Sequence, residues 1–375
     1  TYNFIYLRRT PGLYVGGSCF IMVFMKVAVY TIALNEQQFV ERWYNSCKDA
    51  DYVLIADTGS TDNTVKIAKK LGINVIQVSI SPWRFEDARN ASLAAIPDDI
   101  DYCIALDMDE VITDPDWRES LEKVFEKGIS RPRYKYIWSW KDDGSPDVVY
   151  GGDKIHFRHG YRWKHPVHEV LSADRITETQ EYMPKFQIEH YPDKSKSRSN
   201  YLPLLKLSVE EEPNDDRNAY YYARELFFNQ QYEEAIAQFK RHLKLPTAVW
   251  DSERAASYRY LSKCDPDNKE HWLMKSRDEA PHRREALVEL ADHHYAKKQW
   301  NKCLQFAEEA IAIEEKPLDY LCEDFAWGSR PWDYAAVAAF NLGDLDKALK
   351  YGRKAVELDP TNLRLQANIA FYSKE

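Results

Sequence analysis

The chain has 375 residues, enough for two domains that each bury a core. Its 51 basic residues against 60 acidic ones leave a net charge of −9, which excludes a general coat for nucleic acid or anionic membranes but leaves room for a local basic patch. The six cysteines, at 19, 47, 103, 264, 303 and 322, form no CxxC pair, so neither a zinc ribbon nor a disulfide framework is expected, and a reducing cytoplasm is the expected setting.

Residues 1–24 carry no clear pattern before Met25 and are read as an extension of doubtful relevance to the fold. The apolar run from Phe20 to Leu34 is interrupted by Lys26 and is too short to span a bilayer, so no transmembrane segment is expected there. Strand-like and helix-like segments then alternate: strand "KVAVYTIAL", helix "EQQFVERWYNSCKDA", strand "DYVLIAD", turn and helix "TGSTDNTVKIAKKLG", strand "INVIQVSI", helix "RFEDARNASLAAI" and strand "DYCIALDMDE". Short apolar strands separated by helices imply a mostly parallel sheet covered on both faces. In such sheets ligands sit beyond the carboxyl ends of the strands, which here carry Thr31, Ala33, Asn35 and Glu36, then Asp57 to Asp62, then Asp107 to Glu110. On an extended chain Asp107 and Asp109 project to one side, where their repulsion calls for a hard divalent cation such as Mg²⁺ or Mn²⁺.

Residues 131–200 mix cations, aromatics and five of the ten histidines, at 156, 159, 165, 168 and 190. "YKYIWSW" reads as a strand with one aromatic face, and Trp138, Trp140 and Trp163 are either core or stacking surfaces for sugar rings. After Tyr201 only helices are expected. "AYYYARELFFNQQYEEAIAQFKRHLKLP" and "REALVELADHHYAKKQWNKCLQFAEEAIAI" align with Ala235 over Cys303, 68 residues apart, twice the ~34-residue tetratricopeptide period. "DYAAVAAFNLGDLDKALKYGRKAVELDP" is the best copy, and a degenerate copy begins at Glu253. Four stacked helical hairpins and a terminal helix over 361–375 are therefore expected.

"TIALNE", "IADTGSTDNTVKIAKKLG", "RFEDARNASLAAI" and "YCIALDMDEVI" resemble, in order and spacing, the family 2 glycosyltransferases of GT-A fold, in the branch of lipopolysaccharide-core and sublancin-type S-glycosyltransferases. The resemblance implies a GT-A domain over 25–200, followed by a tetratricopeptide-like solenoid over 201–375. It further implies that Thr31, Ala33, Asn35, Glu36 and Asp57 line the base and ribose pocket of a nucleotide sugar, a UDP-sugar, with Arg89 and Asn90 on the nucleotide or donor sugar. Asp107 would hold ribose or metal, and Asp109 the Mn²⁺ or Mg²⁺ bridging the diphosphate. Glu169 of "HPVHEVL" would be the base that deprotonates the acceptor, with His168 or His190 as an imidazole ligand to the metal. Arg198 and the neighbouring lysines would close over the diphosphate.

The expected activity is metal-dependent inverting transfer to a glycan, peptide or other hydroxyl- or thiol-bearing acceptor, with a nucleic-acid acceptor still open. The repeats would hold the acceptor, a protein partner or a second copy of the chain, or only stabilise the catalytic domain. A non-catalytic scaffold is the alternative, but it needs none of Asp57, Asp107, Asp109 and Glu169. A sugar-phosphate nucleotidyltransferase needs a glycine-rich loop after its first strand, and "TIALNEQQF" has no glycine.

Overall fold

The computed structural model describes residues 25–193 and 201–373, so the expected extension 1–24 and the candidate Arg198 lie outside the described residues. The chain divides at residue 196 into two compact units.

In the first unit, β1 (Val27–Ala33) follows Met25 directly, and α1 (Val40–Cys47), β2 (Tyr52–Asp57), α2 (Thr64–Lys70), β3 (Asn74–Gln77), α3 (Phe85–Ala94) and β4 (Tyr102–Ala105) alternate after it. β1 is β-branched and apolar along nearly its whole length because it is central: β2 pairs with it in parallel on one side and β4 on the other, and β3 extends the sheet beyond β2. Trp43 of α1 is fully buried and donates its indole N–H to the Leu106 carbonyl (3.0 Å), which fixes the chain just past β4.

The sequence places one strand from Asp101 to Glu110, and there the structure differs. β4 stops at Ala105, and residues 107–110 make a turn closed by Glu110 N–H to the Asp107 carbonyl (2.9 Å). β5 (Glu110–Ile112) then joins a different sheet. The third strand likewise ends at Gln77, short of the apolar run that suggested it. Two acids and their charge repulsion favour a turn, where backbone N–H groups and neighbouring side chains reach them.

α4 (Trp117–Glu126) leads to β6 (Arg131–Ile137), β7 (Val149–Gly152), β8 (Ile155–Phe157), β9 (Tyr161–Lys164), β10 (Val170–Ala173) and β11 (Gln180–His190). β8 closes the first sheet antiparallel to β4. β5, β11, β6 and β7 form a second sheet, in which His190 at the end of β11 stands opposite Glu110. β9 and β10 pair only with each other, as a hairpin.

The second unit is helical. After α5 (Tyr201–Glu211) come the pairs α6 (Asp216–Phe228) with α7 (Tyr232–His242), α8 (Asp251–Cys264) with α9 (Lys269–Glu279), α10 (Glu285–Ala296) with α11 (Trp300–Ile311), and α12 (Arg330–Asn341) with α13 (Leu345–Leu358). α14 (Leu363–Tyr372) follows. These are the four hairpins and terminal helix that the repeat spacing predicts. Small residues sit where helices touch: Ala235, Ala307, Ala348 and Ala355 are fully buried, and a Cβ on Gly352 would come within 2.8 Å of the Tyr372 ring.

Candidate functional site

The loops after β1 and β2 are laced together by short polar side chains. Asn35, with a left-handed backbone (φ 55°), accepts from Thr61 N–H (2.8 Å) and Asp62 N–H (3.3 Å), while its own N–H donates to the Ser60 hydroxyl (2.9 Å). Glu36 N–H donates to Thr64 Oγ1 (2.7 Å), and the buried Asp57 carboxylate accepts from Gly59 N–H (3.2 Å) and Ser60 N–H (3.1 Å). Thr31 and Ala33 are buried in β1, where the Thr31 hydroxyl donates to the Ile32 carbonyl (3.1 Å) and the Ala33 carbonyl accepts from Thr58 N–H (2.8 Å). The first two strand ends thus form one rigid wall.

Beside that wall lies a buried ion network centred on Arg89. From α3 its guanidinium bonds Asp107 Oδ1 through Nη2 (2.8 Å) and Glu169 Oε1 through Nε, lies over the Trp163 ring at 4.9 Å, and leaves its buried Nη1 without a hydrogen bond. Lys154, just before β8, donates to Asp107 Oδ2 (2.6 Å) and Glu110 Oε1 (2.9 Å), and the Tyr136 hydroxyl donates to the same Glu110 oxygen (2.6 Å). Burial alone would raise the Asp107 carboxyl, but Arg89 and Lys154 outweigh it and hold Asp107 well below the usual carboxylate range. Burial likewise opposes the charge on Lys154, and Asp107 with Glu110 reverses that effect.

The turn sorts its residues by polarity. Leu106 and Met108 are buried, whereas the Asp107 and Asp109 side chains each keep 28% of their surface exposed. Asp109 Oδ2 faces His190 Nε2 at 3.2 Å, and Tyr191 N–H donates to the Asp109 carbonyl (2.8 Å), so the end of β11 is tied to the turn. His190 Nδ1 lies 2.9 Å from the Trp138 carbonyl, which can only accept, so Nδ1 carries a proton; Nε2 facing the Asp109 carboxylate then donates as the charged ring, and on losing that proton it can take a cation instead. Burial works against a charged His190, yet Asp109 outweighs it and raises the ring above its ordinary value.

This pair fits a divalent cation. An octahedral ion with ligand distances of about 2.1 Å sets neighbouring ligands about 3 Å apart, close to the observed oxygen-to-nitrogen separation. No three of Asp107, Asp109, His168 and His190 bring ligand atoms within 4.8 Å of one another among the described residues, so the protein would supply few ligands and leave positions for phosphate oxygens.

His168 has a left-handed backbone (φ 52°) in the loop joining β9 and β10, next to Glu169. Asn90 uses both ends of its amide on Trp163, donating to its carbonyl and accepting from its N–H, each at 2.9 Å, which straps α3 to β9. Trp163 is core, its indole donating to Tyr30 Oη (2.8 Å), whereas Trp138 is exposed. Lys154 escaped the sequence reading: a single lysine in "GGDKIHF" has no signature, and only the pairing of β8 with β4 brings it to the site.

Residues 28–176 match the family model "Glycosyl transferase family 2", and residues 329–362 match "Tetratricopeptide repeat". An uncharacterized glycosyltransferase of Rickettsia bellii is 32% identical over 101 residues, 27% of this chain and 33% of the relative. A second, from Rickettsia conorii, is 44% identical over 59 residues, 16% of this chain and 20% of the relative. The chain thus spans a third or less of these curated relatives. Among solved structures, S. aureus TarS aligns with 14% identity and a TM-score of 0.41, over 69% of this chain and 56% of that one. The chain therefore carries a family 2 glycosyltransferase domain, joined to helical repeats of which one is a tetratricopeptide repeat.

Proposed function

We propose that the chain is a metal-dependent inverting glycosyltransferase that moves a sugar from a nucleotide-sugar donor, a UDP-sugar, to a hydroxyl or thiol acceptor. The observation that carries this reading is the Asp109–His190 pair, 3.2 Å apart, set beside the buried Arg89 network at the carboxyl ends of parallel strands. Thr31, Ala33, Asn35, Glu36 and Asp57 form the wall against which base and ribose lie. Asp109 and His190 hold Mn²⁺ or Mg²⁺, which when bound neutralises the charge that develops on the departing diphosphate. Asp107 is already compensated by Arg89 and Lys154, so its part is to fix those two cations beside the donor.

Arg89 orients Glu169 through Oε1, and the other oxygen, Oε2, takes the acceptor proton. As that proton leaves, the acceptor oxygen or sulfur bonds to the anomeric carbon while the bond to the diphosphate oxygen breaks on the opposite face, which inverts the centre. Arg198 stands as a further diphosphate contact. The helical repeats are the surface for the acceptor or a protein partner. No described helix is long and apolar enough to cross a membrane, and the proposed setting is the cytoplasm. Asp109→Asn keeps the side chain's shape but removes the charge that the cation requires. Calorimetric titration with UDP should then show Mn²⁺-dependent binding lost in this variant, and undiminished binding would refute the assignment.

A further inference from the structure

A second group of metal-ligating atoms lies in the helical repeats. Glu270 is in the first turn of α9, in the second hairpin, while His293 and His294 are in the last turn of α10, in the third. The His294 side chain is wholly buried, and its ring stacks on Phe306 of α11 with centroids 5.4 Å apart and planes 13° from parallel. Its Nδ1 lies 2.6 Å from Gln299 Oε1, an oxygen that can only accept, so Nδ1 carries the proton and Nε2 of the neutral ring is bare. That Nε2 points at Glu270 Oε1 from 3.4 Å, and His293 Nε2 points at Glu270 Oε2 from 3.7 Å. Neither Nε2 has a hydrogen-bond partner. Two buried nitrogens and a carboxylate, all within 4.8 Å of one another, therefore converge with no proton shared between them. His294 can add a proton at Nε2 only as an imidazolium, because its Nδ1 already carries one, and Lys302 already donates to Glu270 Oε1 (2.9 Å), so that proton would bring a second cation to one carboxylate oxygen.

We propose that Glu270, His293 and His294 form a divalent-metal site that joins the second hairpin of the repeats to the third, with Zn²⁺ as the fitting ion. Two imidazoles and one carboxylate are a zinc donor set. A tetrahedral ion with ligand distances of about 2.0–2.1 Å spaces its ligands about 3.3–3.4 Å apart; His294 Nε2 lies 3.4 Å from Glu270 Oε1, and one atom from each of the three residues lies within 4.8 Å of the others. Glu270 is 37% exposed and Lys302 53% exposed, so water can reach the carboxylate and the lysine has room to release it to an ion. The ion does for α9 and α10 what a cross-link does: it ties two successive repeat units at their edge and stabilises the assembly by mass action.

The test uses the full chain without an affinity tag, stripped with EDTA and titrated with ZnCl2 by calorimetry and with Co²⁺ by visible absorption. Co²⁺ distinguishes the sites, since a tetrahedral nitrogen-and-oxygen site absorbs strongly and the water-rich Asp109–His190 site only weakly. The expected result is a tetrahedral Co²⁺ spectrum in the parent chain that disappears in Glu270→Gln and in His293→Ala. Zn²⁺ affinity should fall by about 100-fold or more in each, beyond the usual effect of losing a supporting hydrogen bond. Lys302→Met should bind Zn²⁺ more tightly, an effect a plain ion pair does not produce. His294 is left intact because its burial would mix folding with binding. A parent chain without the tetrahedral spectrum, or a spectrum that persists in both ligand variants, would overturn the proposal.

Discussion

Glu169 and Asp107 share one guanidinium, and that arrangement decides how each can be probed. Glu169→Gln still offers Arg89 an oxygen at the position of Oε1, so the donor side should keep its shape while the proton acceptor is lost. UDP affinity is then expected to stay nearly unchanged, and Mn²⁺-dependent release of UDP from a UDP-sugar should fall by about 10²- to 10⁴-fold, the scale of a positioned general base. Unchanged release would remove Glu169 from the mechanism, and Glu110, buried and held by Lys154 and Tyr136, could not simply replace it. His168 beside it is separated by phenotype: His168→Ala should leave metal affinity intact if His190 is the ligand that accompanies Asp109. The aspartates of this site were legible in the sequence because Asp57, Asp107 and Asp109 end or follow apolar strands, whereas Glu169, in the loop before β10, was picked out by the resemblance to family 2 glycosyltransferases. Their counter-charges were not. Lys154 and the orientation of Arg89 depend on β8 meeting β4 and on β9 lying against α3, contacts between residues dozens of positions apart that leave no local pattern.

The hairpin turns of the repeats carry a regularity that residue types conceal. Gln230 between α6 and α7 (φ 62°) and Lys298 between α10 and α11 (φ 53°) are both left-handed and stand 68 residues apart. Gly343 occupies the same place between α12 and α13 (φ 84°). Only the last uses the residue that adopts this conformation without steric cost. Lys298→Gly is therefore expected to stabilise the helical unit by about 1 kcal/mol, and Gly343→Ala to destabilise it by a similar amount, since no atom lies within 4 Å of the added Cβ and the cost is purely conformational. Chemical denaturation followed by circular dichroism reads both, and a stabilising Gly343→Ala would contradict the argument. Helical spacing and buried small residues made these hairpins visible in the sequence. The early end of β4 was hidden because alternating "LDMDE" satisfies the period of a strand equally well when it forms a turn with Leu106 and Met108 turned inward.

Across the whole transferase unit, stability on acidification is governed in part by one buried imidazole. His156 of β8 lies 2.7 Å from the Phe157 carbonyl through Nδ1 and 3.1 Å from the Tyr30 hydroxyl through Nε2, while Tyr30 accepts from Trp163. Burial pushes its pKa down to about 3. The folded value lies below the unfolded one, so the contribution is fully present above about pH 6.5 and is lost as the pH falls from there toward 3. Over that window the group should remove up to about 1.4 kcal/mol of stability per pH unit. Its replacement in His156→Phe should flatten the decline, measured as the denaturation midpoint against pH, and an unaltered slope would exclude His156 as its source. The same chain of hydrogen bonds reaches the β9–β10 hairpin, which pairs with neither sheet and is fastened through Trp163, Asn90 and the bond from Phe85 N–H to the Pro166 carbonyl (3.0 Å). His165, Pro166 and Val167 at its tip are themselves buried, so the hairpin holds Glu169 beside Arg89 as a packed part of the unit. The proposed base is thereby carried by a piece of chain separate from the sheet whose strand ends form the proposed donor wall, and a change in one need not pass through the other.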